Sequence, residues 1–375
     1  MIPTISTIPI QHLASGDCLS LQVYRFIGAK PGKKAYLQAN LHGAEIVGNA
    51  VIHQLIEFLT LLDDSQLTGE IWLVPVCNPL STNQRTHFFS TGRFNHYDGK
   101  DWNRIFWDYE KEDDDLDTFA KSQLNLEPDL IRKNYLERIQ SSFSQQLQKI
   151  QSPRGTPFSD RYRYYLQSLC LDANYIIDIH TSSNQAIDYL YCFHSREASA
   201  KAFLLDRGIL LNDYDGDAFD EAFMKPWLAL EKKLAQLGKP IEFDIDSWTL
   251  ELGSGLSMNP ESVQKGVLGI KNYLAYKEML RIPDFPLATT ASQSINFTIK
   301  SQLKRYYAPA GGMIQSRVPL GSTIKAGQLL YQLLSFNKNG DLPQLIDVPA
   351  EADGLVFCVS TNHAVNEGEY VLSVM

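Results

Sequence analysis

Four residues of this chain have the types and order needed for metal-assisted hydrolysis: His42, Glu45, His180 and Glu251. His42 and Glu45 stand three apart in Gln38-Ala39-Asn40-Leu41-His42-Gly43-Ala44-Glu45, where the apolar run Lys34-Ala35-Tyr36-Leu37 gives way to an amphipathic stretch. On the first turn of a helix, residues i and i+3 project from one face. A neutral imidazole and a carboxylate pointing the same way are two of the ligands a hydrolytic zinc needs. Gly43 lets the backbone turn tightly between them. The same residues also fit a purely structural arrangement, with Asn40 as a helix N-cap and Glu45 stabilised by the helix dipole. His180 ends the buried-type run Asn174-Tyr175-Ile176-Ile177-Asp178-Ile179-His180, and Glu251 lies near the end of Ser247-Trp248-Thr249-Leu250-Glu251-Leu252-Gly253. Strand ends on one edge of a sheet converge in space although remote in sequence. Two histidines, one carboxylate and an open position for water make a catalytic zinc site; a further carboxylate outside the ligand set makes a general base. Taken singly, His180 also suits a satisfied strand-end histidine, and Glu251 a buried carboxylate paired with an arginine. Their joint order points to a site.

The elements that must position these residues are legible in part. Runs at 22–29, 34–41 and 70–77 read as strands. Between the last two, Ile46, Val47, Ala50, Val51, Leu55, Phe58 and Leu59 recur at helical spacing, predicting a helix over 44–62. Strand, helix, strand at this length reads as a right-handed crossover of an α/β sheet, with ligands bound beyond the carboxyl ends of the strands. After Cys77-Asn78-Pro79 comes a long polar segment, 80–104, which holds Arg85, Arg93, Asp101, Asn103 and Arg104. Loops of that length are often functional. An acidic stretch at 107–117 reads as a solvated face or an insertion. With helices predicted over 127–151 and 158–171, residues 107–171 form a helical insertion or a cap over the site. Further on, 189–193 reads as a strand, and 196–207 and 218–238 as helices. Asn259-Pro260-Glu261 opens a last long helix with an N-cap and Pro at N1. A linker over 281–292 leads to a region of strands and turns. There Pro309-Ala310-Gly311-Gly312 and Lys325-Ala326-Gly327 are echoed by Pro349-Ala350, Asp353-Gly354 and Asn366-Glu367-Gly368. That repeat predicts a small β-sandwich of two quasi-equivalent halves, resembling biotinyl and lipoyl domains but without a Met-Lys-Met hairpin, so no swinging-arm cofactor is expected. The division is a catalytic domain over 1–285, interrupted at 107–171, and an all-β domain over 293–375.

Length and charge agree. A chain of 375 residues is long for one core and suggests two domains. Its 44% hydrophobic and 21% charged content is that of an ordinary globular protein. A net charge of −9 argues against nucleic acid or an anionic membrane as partner. An anionic small substrate stays open, because local arginines outweigh a diffuse field. The first residues carry no signal-peptide pattern, and no apolar run approaches a membrane span. Cys18, Cys77, Cys170, Cys192 and Cys358 are scattered and odd in number, which disfavours both a thiolate zinc site and a disulfide framework. A reducing cytoplasm is the expected location.

In order, His42-Gly43-Ala44-Glu45, Asn78-Pro79, Asp101-Trp102-Asn103-Arg104, Asp178-Ile179-His180-Thr181 and Glu251-Leu252-Gly253 resemble the motifs of the succinylglutamate desuccinylase and aspartoacylase family. Those enzymes are deacylases with the fold of zinc carboxypeptidases. The resemblance implies a mixed-sheet α/β catalytic domain with helices on both faces, followed by the small β domain. It implies one Zn²⁺ per chain held by His42, Glu45 and His180, with Glu251 as general base and then acid. It implies that Asn103 and Arg104 grip a substrate carboxylate. An arginine shortly upstream should polarise the scissile carbonyl; Arg93 is favoured as the nearer, with Arg85 as runner-up, and either also suits a solvated loop. Asp178 falls on the His180 side of its strand by period two and is a candidate to orient a ligand histidine. Trp102 replaces the family's usual leucine, and 107–171 exceeds what compact members need, which leaves substrate scope open. The expected activity is zinc-dependent hydrolysis of the non-peptide amide bond of a small, carboxylate-bearing N-acyl amino acid, with no nucleic acid or membrane partner and room for a homo-oligomer. Two other readings stand: a metallocarboxypeptidase trimming a peptide, and a zinc-containing binding protein, against which the intact Glu251 speaks.

Overall fold

A computed structural model describes all residues except 87–89, 114, 151, 213, 215 and 288–293. Its strands in chain order are β1 (Thr4–His12), β2 (Cys18–Ile27), β3 (Lys30–Ala39), β4 (Thr68–Val74), β5 (Tyr175–Ser182), the short β6 (Gln185–Ala186), β7 (Asp188–Phe193), β8 (Arg207–Leu211), β9 (Asp246–Ser254) and β10 (Asn296–Ile299). All but β6 form one sheet in the order β1-β2-β4-β3-β5-β9-β7-β8-β10. The central strands β4, β3, β5 and β9 are mutually parallel, while β1, β2 and the β7–β9 pairing are antiparallel, so the sheet is mixed. β3 and β5 are buried along nearly their whole length, as parallel strands covered on both faces must be. Period two then divides their side chains. Ala35, Leu37, Ala39, Ile177 and Ile179 pack under α1 (Val47–Thr60) and the last long helix, Pro260–Tyr276. Tyr36 and Ile176 face the opposite way, towards the helices Phe158–Ser168 and Phe219–Gln236. Asp178 and His180 share the side of Ile176, and Thr249 and Glu251 share the same side of β9.

Several expectations shift. β1 was not foreseen, because Pro9 and a bulge between Pro9 and Gln11 break its pattern; it is an edge strand, where Pro is tolerated. The helix expected over 44–62 starts only at Val47. Its N-cap is Ile46, which makes no side-chain cap, and no acidic residue stands in its first turn. The helix expected over 196–207 ends at Leu204, whose backbone is left-handed, and Arg207–Leu211 is a strand. The insertion is helical: α2 (Pro79–Asn83) precedes it, and α3 (Leu116–Ser122), α4 (Pro128–Ile150) and α5 (Phe158–Ser168) build it. The acidic stretch is anchored rather than solvated throughout. Trp107 and Tyr109 are buried in an aromatic cluster with Tyr135, Phe143 and Trp227, and Lys225 Nζ pairs with buried Asp108 at 3.0 Å. This cluster props Phe219–Gln236, which follows α6 (Glu197–Ala200) and is α7; Pro260–Tyr276 is α8.

The rest of the chain is all-β. The linker expected over 281–292 lies, from 288 on, outside the described residues, as does residue 293. β10 then pairs in parallel with β8, so the chain rejoins the large sheet before the separate β sheets begin. Those are built from β11 (Lys304–Tyr307), β12 (Gly312–Arg317), β13 (Thr323–Ile324), β14 (Leu329–Ser335), β15 (Gln344–Pro349), β16 (Gly354–Val359), β17 (Ala364–Val365) and β18 (Tyr370–Val374). One sheet runs β11-β18-β16-β13 and the other β15-β14-β12-β17, all antiparallel, around a shared core that includes Ile324, Leu333, Val356 and Leu372. β6 joins the first of them through β16, with Ala186 opposite Cys358. The segment just past His180 is thereby stitched to the C-terminal sheet. Among the described residues, no helix is long and apolar enough to cross a membrane.

Candidate active site

His42 and Glu45 sit in a loop past the end of β3, not on a helical first turn. Asn40 takes a left-handed backbone (φ 69°). Instead of capping a helix, its amide Nδ2 donates to the carbonyls of His42, Gly43 and Glu45 at 3.1, 3.0 and 3.4 Å. Asn78 Nδ2 donates to the Leu41 carbonyl at 3.0 Å, while its Oδ1 caps α2. This gives the Asn78-Pro79 motif a role: it clamps the loop of His42 and Glu45 to the end of the next strand. Gly43 is required by close approach rather than by turn geometry, since a Cβ there would collide with the Ser81 carbonyl.

Clamped this way, the loop turns Glu45 between two imidazoles. His42 Nδ1 lies 3.0 Å from Glu45 Oε1, and His180 Nδ1 lies 2.8 Å from Oε2. The other ring nitrogens meet carboxylates too: His42 Nε2 is 2.9 Å from Asp101 Oδ1, and His180 Nε2 is 2.9 Å from Asp178 Oδ2. His42, Glu45 and His180 are all buried, and each offers a donor atom within 4.8 Å of the others. Burial pulls the imidazole pKa values down, but the Glu45 charge and the Asp101 bond raise His42 on balance, and Asp178 and Glu45 do the same for His180. Burial likewise disfavours the Glu45 charge, yet the two histidines hold its carboxyl well below the usual range. The arrangement thus concentrates positive charge around one desolvated carboxylate. A divalent cation among two Nδ1 lone pairs and one carboxylate oxygen fits this donor set, with each Nε2–H donating to an aspartate as metal-bound histidines do. The residues fit a metal.

Glu251 stands beside this cluster. It is the register partner of His180 across the β5–β9 pairing. Its Oε2 is buried and has no hydrogen-bond partner. Burial and the nearby Glu45 charge push its carboxyl up to about 7, the range suited to a general base.

Residues 31–209 match the sequence model of the succinylglutamate desuccinylase/aspartoacylase catalytic domain. Over this domain, the chain is similar to the succinylglutamate desuccinylase/aspartoacylase family. A protein of this family from Shewanella amazonensis SB2B superposes with a TM-score of 0.87 at 28% identity, covering 99% of this chain and 98% of its own. Another from Shewanella frigidimarina NCIMB 400 gives 0.89 at 25% identity, covering 100% and 97%. A succinylglutamate desuccinylase/aspartoacylase from Rhodobacter sphaeroides shares the fold at 18% identity, with a TM-score of 0.67 over 100% and 94% of the two chains. No curated protein matches the sequence.

The upstream arginines part company. Arg93 lines the pocket over the ligand cluster, with Nε 2.9 Å from Asp101 Oδ2 and Nη1 3.9 Å from Glu45 Oε1. Gly92, in a left-handed conformation against Ser81, aims it there. Arg85 is turned away: its Nη1 donates to the Thr82 and Gln84 carbonyls at 2.7 and 2.6 Å, outside the pocket lining. Asn103 and Arg104 both line the pocket. Asn103 Oδ1 accepts from the Phe219 N–H at the start of α7 (2.8 Å), so its NH₂ is the end left for a ligand. Arg104 Nη1 donates to the Asn103 carbonyl at 2.5 Å.

Three contributions were not read from sequence. Asp101 holds His42 and Arg93 at once, one through each oxygen; its place in Asp101-Trp102-Asn103-Arg104 was the available signal. Thr181 presents a buried, unpartnered Oγ1 in the pocket wall. Finally, the C-terminal sheets close one side of the pocket through Arg305, Tyr307, Phe357, Cys358 and Tyr370. None of the described residues of 107–171 lines it, so the insertion braces α7 instead of capping the site. Asp101→Asn should weaken metal affinity or turnover about 10- to 100-fold, as loss of a carboxylate behind a ligand histidine does. A metal-competition titration with kcat measured in parallel checks this; unchanged values of both would remove Asp101 from the site.

Proposed function

We propose that the protein is a zinc-dependent amidohydrolase that removes the acyl group from a small, carboxylate-bearing N-acyl amino acid, acting on a non-peptide carbon–nitrogen bond. The observation that carries this reading is the orphaned Oε2 of Glu251 beside the His42, Glu45 and His180 cluster. A buried carboxylate oxygen without a donor is costly, and an attacking water supplies that donor. We take His42, Glu45 and His180 to be the zinc ligands, one ion per chain, in an arrangement like that of zinc carboxypeptidases. Zinc held there supplies Lewis acidity, which activates water and polarises a carbonyl. Glu251 accepts the proton as water adds to the acyl carbon. Arg93 faces the carbonyl oxygen as negative charge develops, a contribution of typically about 3–4 kcal/mol. Glu251 then hands its proton to the departing amine nitrogen. Arg104 and the Asn103 amide hold the carboxylate that orients the substrate.

A pocket of ≈520 Å³ closed on one side by C-terminal residues suits a small molecule more than a peptide tail, which favours deacylation over carboxypeptidase action. The five free cysteines agree with a reducing cytoplasm. Assaying the zinc-loaded protein against N-acyl amino acids and C-terminal dipeptides separates the two activities; cleavage of dipeptides alone would overturn the deacylase assignment. Arg104→Ala should raise KM for carboxylate-bearing substrates about 10- to 100-fold, the worth of a charge-assisted pair. An unchanged KM would take Arg104 out of the binding site.

A further inference from the structure

We propose that Gln38 is a positioning residue for the metal cluster: through one buried water it holds the second oxygen of Asp178 and so fixes the ring of His180. This rests on the metal-site part of the hydrolase reading. Gln38 and Asp178 are register partners in the β3–β5 pairing, and both are fully buried. By period two Gln38 shares the side of Tyr36, and Asp178 that of Ile176, which is the same face of the sheet. Asp178 Oδ2 meets His180 Nε2 at 2.9 Å, whereas its Oδ1 is buried without a partner. Gln38 Oε1 accepts from the Tyr36 hydroxyl at 3.0 Å, whereas its Nε2 is buried without a partner. A donor and an acceptor, both orphaned, thus project from adjacent positions of neighbouring strands. They make no direct bond. Burying both unmade is costly, and a water between them completes each.

The chemistry fixes the direction of every bond in this chain. A carboxylate only accepts, so the Gln38 amide must turn its NH₂ towards Asp178 and its oxygen towards Tyr36. Tyr36 then donates to Gln38, Gln38 to the water, and the water to Asp178 Oδ1. His180 Nε2–H donates to Asp178 Oδ2, which leaves the lone pair of His180 Nδ1 for the metal. A carboxylate held by one oxygen can pivot about its Cβ–Cγ bond; held by both, it stays in plane and the imidazole stays with it. Among the described residues, His180 is the one ion-pair partner of Asp178. The surroundings keep bulk water out: Tyr36, Cys77, Trp102, Tyr162 and Cys170 belong to one core cluster. Tyr36, Cys77, Tyr162 and Cys170 also feel the Asp178 charge, although burial is the larger cause that raises their pKa values and keeps them protonated.

The test reads zinc affinity by competition titration, which needs no turnover. Gln38→Leu removes the anchor at nearly constant volume, and Tyr36→Phe removes the hydroxyl that aims the amide. Gln38→Leu should weaken zinc binding about 10-fold, as loss of an outer partner of a ligand histidine does, and Tyr36→Phe by a smaller factor. In an Asp178→Ala background neither substitution should change the affinity more than about twofold, because the anchor then has nothing to hold. A purely structural role for Gln38 would lower the affinity equally in both backgrounds, and that result overturns the proposal, as does an unchanged affinity in Gln38→Leu. Should Gln38→Leu fail to fold, Tyr36→Phe in the two backgrounds decides in the same way. A crystal structure of the wild type should show one water within about 2.7–3.2 Å of both Gln38 Nε2 and Asp178 Oδ1; no water there overturns the bridge. A wild type that binds zinc but cleaves no amide sinks the hydrolase reading and leaves this inference to the titrations. A wild type that binds no zinc sinks the metal site, and the water alone then decides whether Gln38 holds Asp178.

Discussion

Glu251→Gln abolishes amide hydrolysis and leaves zinc content unchanged at one ion per chain: this is the first expected result. The substitution keeps the volume and one oxygen but removes the base. Glu251 lies opposite His180 in the sheet and outside the ligand cluster, so the donor set of His42, Glu45 and His180 stays whole. General base catalysis alone is worth about 10²–10⁴-fold, and Glu251 is assigned both the deprotonation and the return of the proton, so the loss should reach the upper part of that range. Metal analysis of the purified variant together with its kcat on the best N-acyl substrate makes the measurement. Retained turnover would sink the assigned mechanism, whereas lost zinc would show that Glu251 is a ligand.

Equally large is the expected effect of Glu45→Ala. Among the described residues, Glu45 is the one carboxylate that meets both Nδ1 atoms, and the loop clamped by Asn40 and Asn78 holds it there. Its removal leaves two imidazoles held by Asp101 and Asp178 but no anionic ligand between them. Zinc should then fail to bind at micromolar concentration, and activity should disappear with it. In the wild type, a ligand that binds only the folded state at about 1,000 times its Kd stabilises by about 4 kcal/mol, which raises Tm by on the order of 10 °C. Thermal denaturation of chelator-treated protein with and without added zinc reads this directly. The wild type should show the rise and Glu45→Ala should not. A zinc-independent wild-type Tm, or an equal rise in the variant, would refute the metal site.

What made the site legible in the sequence was the order of strand ends. Apolar runs 34–41, 174–180 and 247–253 identify three strands, and each ends on or just before a residue with lone pairs to offer. Parallel strands in one sheet bring such ends to one edge, so His42, His180 and Glu251 could be grouped without knowing the strand order. His42 and Glu45 were expected on a helical first turn, with Asn40 as N-cap in the alternative reading, because two local signals compete there. An Asn before an amphipathic run resembles an N-cap, but its left-handed backbone and its three carbonyl partners serve a loop. The choice between Arg85 and Arg93 depends on how a long polar segment folds back on itself, with Phe94 bridging Asp101 and Trp102 N–H bonding the Arg93 carbonyl. No periodicity encodes that.

The sequence by itself determined the grouping of His42, Glu45, His180 and Glu251 as one candidate site, the face of each strand on which its strand-borne members lie, and the switch from α/β to all-β structure. These follow from local chemistry and from periods of two and 3.6, which any short window carries. Only the tertiary structure decided that Asp101 serves His42 and Arg93 together, that the insertion braces α7 without reaching the pocket, and that Arg305 enters the site from the far end of the chain. Those are pairings between segments tens to hundreds of residues apart. They depend on sheet order and on the β6–β16 seam, neither of which leaves a local trace.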